Sequence, residues 1–88
     1  MSNDIHDLHK QAQHFFQSIR NEATRNGKLS LLLADHYYSL QRIKIAVVYR
    51  RTTHDLSSED RKQIEEIRQM FEEASKIKNE LNAKSVSL

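Results

Sequence analysis

The chain has no cysteine, no proline and no tryptophan, and its single glycine is Gly27. Without cysteine there is neither a disulfide nor a thiolate zinc site, which fits a reducing compartment. Without proline, and with one glycine in 88 residues, there are few places to turn, so long helices joined by two connections are expected. Long apolar runs are also missing. The longest, residues 31 to 34 and 45 to 49, fall far below the roughly 20 residues that span a bilayer. The opening MSNDIHDLHK lacks the basic start, apolar run and small-residue cleavage site of a secretory signal. These absences predict a cytoplasmic protein with no membrane partner.

A chain of 88 residues is expected to form one domain, 1–88, with a single modest core. At this size about 60 to 65% of the unfolded surface is buried on folding, which leaves stability marginal unless a partner adds to it. The net charge of +2 is unevenly placed. Residues 1 to 54 hold eight Lys/Arg against four Asp/Glu, and residues 55 to 88 hold six against eight.

The stretch LSLLLADHYYSLQRIKIAVVY, residues 29 to 49, organises the rest. At 100° per residue, Leu29, Leu32, Leu33, His36, Leu40, Ile43 and Val47 form one apolar face of a helix, and Leu31, Ala34, Tyr38, Ile45 and Tyr49 form another almost opposite. A helix that is apolar on two sides must be covered on two sides. The β-branched run at 43 to 49 lacks the alternation of a strand and has no second strand to pair with, so the helix continues through it.

Each flanking segment carries one apolar stripe. The first helix is predicted over about residues 3 to 25, capped by Ser2 or Asn3, with Asp4 and Asp7 in its first turn. Its stripe is Ile5, Leu8, Ala12, Phe15, Phe16, Ile19 and Ala23, and Asn26-Gly27 stops it. The middle helix is expected over about 29 to 53 and the third over about 58 to 82, with 83 to 88 a frayed tail. Ser57 and Asp60 form a short relative of the capping box at the third helix. Ile64, Ile67, Met70, Phe71, Ala74, Ile77 and Leu81 supply its stripe, with Glu72 and Lys76 a supporting pair four residues apart.

The expected fold is therefore all-α: an antiparallel up-down-up three-helix bundle, a helical hairpin plus a third helix, that oligomerises through the central helix. Asp4, Asp7, Glu59 and Asp60 should then lie near Arg50 and Arg51, making that end charge-complementary. The competing arrangement is a flat layer in which the outer helices cover opposite faces of the middle one and hardly touch each other.

Little in the sequence resembles catalytic chemistry. There is no Cys nucleophile, no GxSxG and no glycine-rich phosphate loop, and the paired carboxylates Glu65-Glu66 and Glu72-Glu73 fall on a solvent face. A bundle this small offers little concave volume for a substrate, so no enzyme and no cofactor is expected. His6 and His9, with His54 brought to the same end, form a weak candidate for a metal or pH-sensitive cluster. No recognised metal motif accompanies them, and no metal site is assigned. His36, on the main apolar face, reads as a core-edge histidine with a local hydrogen bond.

The remaining signal is the second stripe. Leu31, Tyr38 and Ile45 are seven residues apart, with Ala34, Arg42 and Tyr49 between or beside them, which is how one helix meets another along a coiled-coil seam. Tyr and Arg are enriched at protein interfaces. The expected function is that of a small non-enzymatic adaptor, regulator or inhibitor that binds a protein partner or itself, most simply as a homodimer. Small helical proteins of this type are common among phage, plasmid and bacterial regulators, an expectation that rests on no particular residue. The alternative is a small nucleic-acid-binding regulator using Arg42, Lys44, Arg50 and Arg51, with Tyr38 and Tyr49 as stacking groups. Those cations are divided between two sides of the helix, and helices of over twenty residues suit a bundle better than a helix-turn-helix at residues 26 to 28.

Overall fold

A computed structural model of the chain describes residues 4–53 and 55–86. Among them the structure is all-helical: α1 spans Ile5–Asn26, α2 spans Leu31–Thr53 and α3 spans Ser58–Val86. Each start has a side chain that meets an orphan backbone N–H, and each fits the local sequence. Asp4, in extended conformation, accepts from the Asp7 N–H at 2.9 Å. It takes the capping place expected of Ser2 or Asn3, which lie outside the described residues. Ser30 caps α2 by accepting from the Leu33 N–H at 3.1 Å. At α3 the box is reciprocal: the Asp60 N–H donates to Ser57 Oγ at 3.0 Å and the Ser57 N–H to Asp60 Oδ2 at 3.2 Å.

The end of α1 turns at Gly27, whose φ of 65° is left-handed and whose N–H reaches the Ala23 carbonyl at 2.9 Å. Only a residue without a Cβ takes that conformation at little cost. Glu22 holds the corner. Its carboxylate is buried, accepts from the Asn26 amide, and accepts from Ser30 Oγ at 3.3 Å. The hydroxyl that caps α2 is thus tied to the last turn of α1.

The core follows the stripes. Ile5, Leu8, Ala12 and Ile19 of α1, Leu33, Leu40, Ile43 and Val47 of α2, and Ile67, Ala74 and Leu81 of α3 are buried together. Phe15, Phe16, Tyr37, Met70 and Phe71 pack against them at the edges. All three pairs of helices are in contact. The outer two meet directly, His9 Nε2 donating to Glu66 Oε1 at 2.7 Å and Gln63 Nε2 to His6 Nδ1 at 3.3 Å. A flat layer with separated outer helices is therefore not what forms; three single stripes share one interior, the arrangement that buries most area per residue.

One expectation at the ends is corrected. Helix α3 continues to Val86 rather than stopping near residue 82. Loss of apolar rhythm after Leu81 marks the end of burial, not of helix, because Asn82, Ala83 and Lys84 include no breaker. At the other end, Arg51 lies near the start of α3, sharing a depression with Leu56, Arg61 and Glu65. On the surface of α3, Glu72 pairs with Arg68 rather than Lys76, and Arg68 Nε also bonds both oxygens of Glu65 at 3.1 and 3.0 Å.

Candidate interface on the middle helix

Helix α2 is apolar nearly all round, so its outward side is oily even after the core has formed. Among the described residues, every large apolar side chain left at least half exposed belongs to it. Leu31 is 92% exposed, Tyr38 60%, Ile45 64% and Tyr49 68%, and Leu32 and Val48 are about half exposed. Ala34 is half-buried and Arg42 is exposed beside them. The stripe read from the sequence is thus one continuous open face of the folded chain. Val48 was not assigned to it, although it follows Ile45 by three positions. Leu32 was assigned to the core face but lies in the first turn of α2, about 60° from the centre of that face, where covering is thinner.

Side chains at the borders of the face show what bounds it. Towards α3, Tyr37 stacks on Phe71 with ring centroids 5.4 Å apart, and Lys44 Nζ lies 4.4 Å from the centroid of the same Phe71 ring. Towards α1, Arg42 lines an open depression of about 350 Å³ with Leu8, Gln11, Phe15 and Ser39. On the face itself, Gln41, Lys44, Ile45 and Val48 line a depression of about 240 Å³ with Phe71 at its side.

The basic residues do not gather. Arg42 stands on the α1 side, Lys44 leans onto Phe71 of α3, and Arg51 lies near Arg61, Glu65 and Arg68 at the start of α3. Arg50 is half-buried. A tracked phosphate backbone needs cations along one path, and Arg42 stands on the opposite side from Lys44 and Arg51.

The described histidines of the predicted end cluster are engaged separately. His9 is buried against Glu66, His6 meets Gln63, and the His36 ring lies 6.1 Å from that of Phe15. His54 lies outside the described residues. Among the described residues no group of three or more His, Asp or Glu side chains is arranged to hold a metal ion. On the solvent side of α3, hydrogen bonds from Arg68 hold the Glu65 carboxyl below the usual glutamate range, with the guanidinium charge adding to them. No helix among the described residues is long and apolar enough to cross a membrane.

With known proteins the chain shows no significant similarity: no family model, no curated protein and no solved structure matches it.

Proposed function

We propose that this protein is a small cytoplasmic, non-enzymatic interaction module, an adaptor, regulator or inhibitor, built as an antiparallel up-down-up three-helix bundle. It docks a protein through the open face of α2. The up-down-up path is supported by His9 meeting Glu66 near the starts of α1 and α3, and by Arg20, Ala23, Ile77 and Leu81 sharing a depression near their other ends. Leu31, Tyr38, Ile45 and Tyr49 are the anchors, Ala34 allows close approach, and Arg42 is a rim contact. The observation that carries the reading is the concentration of exposed large apolar side chains on one helix. Scattered exposed residues are ordinary in soluble proteins, whereas a contiguous patch marks a contact surface.

Photo-crosslinking in living cells tests this. A photoreactive residue at position 45 should give protein adducts, and the same residue at exposed Gln69 of α3 should not. Tyr38→Glu combined with Ile45→Glu should leave the helical circular dichroism unchanged and abolish the adducts formed from position 31. Equal labelling from positions 45 and 69, or unfolding of the double variant, would overturn the reading. Nucleic-acid binding through Arg42, Lys44, Arg50 and Arg51 remains the alternative proposal, and no geometric observation favours it. It requires binding that weakens steeply with salt, with a slope that falls when Arg42 and Lys44 are replaced.

A further inference from the structure

Along the open face, Leu31, Ala34, Tyr38, Gln41, Ile45 and Val48 succeed one another at alternating intervals of three and four. That alternation keeps a seam turned towards one partner helix. The depression on this face is bounded by Gln41, Lys44, Ile45 and Val48. These are positions i, i+3, i+4 and i+7, the four that form a hole for a knob from a facing helix. The solvent-accessible surface, 6191 Å², exceeds the roughly 5,400 Å² of a globular monomer of this mass by about 800 Å². The long outline of 49 × 21 × 17 Å contributes to that excess together with the open face of α2.

Resting on the reading of this face as a docking surface, we propose that its occupant is a second copy of the same chain, docked antiparallel about a two-fold axis that crosses α2 between residues 39 and 40. Three registers keep the two seams in step, and charge separates them. Asp35 is the single acidic residue of α2, and Arg42 follows it by one heptad on the same flank of the seam. In an antiparallel pair this flank faces its own counterpart. With the axis between 39 and 40, Leu31 lies across from Val48 of the second copy, Ala34 from Ile45 and Tyr38 from Gln41. Asp35 then stands about 3 Å along the axis from Arg42 of the second copy, and symmetry makes the pair twice. Shifting by one heptad in one direction sets Arg42 against its own copy; shifting in the other sets Asp35 against its own copy. Both shifts also leave one third of the seam uncovered. A parallel pairing places Ser30 beside Asp35 and Tyr37 beside Arg42, with no opposite charges matched. Among the described residues neither Asp35 nor Arg42 is in an ion pair within the single chain, so both are available to the second copy.

Sedimentation equilibrium across about 1 to 300 µM should show a reversible monomer–dimer equilibrium. Arg42→Asp should raise its dissociation constant at least about tenfold, and adding Asp35→Arg should restore it to within about threefold, because the symmetric pairs are then re-formed with signs exchanged. The absence of native cysteine allows the register to be read directly. Oxidising a mixture of Leu31→Cys and Val48→Cys chains should give mixed disulfide dimers, while neither variant should cross-link to itself, its two thiols being about 25 Å apart. A chain that stays monomeric throughout this range overturns self-pairing, and the cellular adducts at position 45 then decide the docking reading separately. Self-cross-linking of Leu31→Cys, or a dimer indifferent to Arg42→Asp, overturns the register. A dimer unchanged by Tyr38→Glu with Ile45→Glu uses another surface and overturns self-pairing through this face.

Discussion

The side of α2 that bears Leu33, Leu40, Ile43 and Val47 lies against α1 and α3, while the side that bears Leu31, Tyr38 and Ile45 faces outward. Both are apolar, so apolarity alone did not decide which was buried. The supply of covering stripes did. Each outer helix has one stripe, and α1 and α3 turn theirs towards a common interior instead of wrapping α2 from two sides. The two faces also differ in kind. The fully buried side chains of the first are aliphatic, with His36 half-buried among them, whereas the open one mixes aliphatic side chains with Tyr38, Tyr49 and Gln41, which carry polar tips.

The sharpest way to break this contrast is to truncate each face in turn. Leu40 is fully buried, and Leu40→Ala should cost about 2–5 kcal/mol, a large part of the stability of a small domain. Ile45→Ala, measured at low micromolar concentration, should change stability by no more than about 0.5 kcal/mol. Urea denaturation of both variants checks the pair of values, and equal losses would mean that the two faces are one core.

A smaller effect is expected at the corner between α1 and α2. Ser30→Ala removes the hydroxyl that caps the Leu33 N–H and bonds buried Glu22, and should cost about 1 kcal/mol. Ser30→Gly should cost only a few tenths, and chemical denaturation of the two variants side by side separates capping from packing. The smallest effect belongs to a polar surface remote from both faces. Glu65 titrates below an ordinary glutamate in the folded chain, so its bonds to Arg68 are present above that range and disappear as pH falls through the lowered midpoint. In an NMR titration Arg68→Ala should move the midpoint of Glu65 back up, with the cooperative unfolding transition unchanged.

Much of this was legible in the residues. Ser57 with Asp60, and Gly27 after Asn26, located two boundaries because caps and left-handed stops have chemical signatures within a few positions. The single stripes of α1 and α3 gave the core, since spacing of three and four has one structural meaning. The open face was readable by subtraction, as the apolar surface left over, and Leu31, Tyr38, Ile45 and Tyr49 are exposed as that subtraction expects. What the sequence left out depends on how helices lean on each other. The stack of Tyr37 on Phe71, the lysine above it, and the bond from Ser30 to buried Glu22 all join residues of different elements, which no periodicity within a helix relates. The helical stretch beyond residue 82 was missed for a different reason: periodicity reports burial, and the exposed turn of Asn82, Ala83 and Lys84 is silent to it.

Gly27 closes the last turn of α1, and no atom lies within 4 Å of the place a Cβ would occupy there. Volume therefore plays no part in what this position accepts. Handedness does: an L-residue resists the positive φ, while its mirror image prefers it. A chemically synthesised chain carrying D-alanine at residue 27 would keep the same bend with fewer unfolded conformations to lose, which makes the first corner a place to stiffen the molecule without touching either side of its central helix.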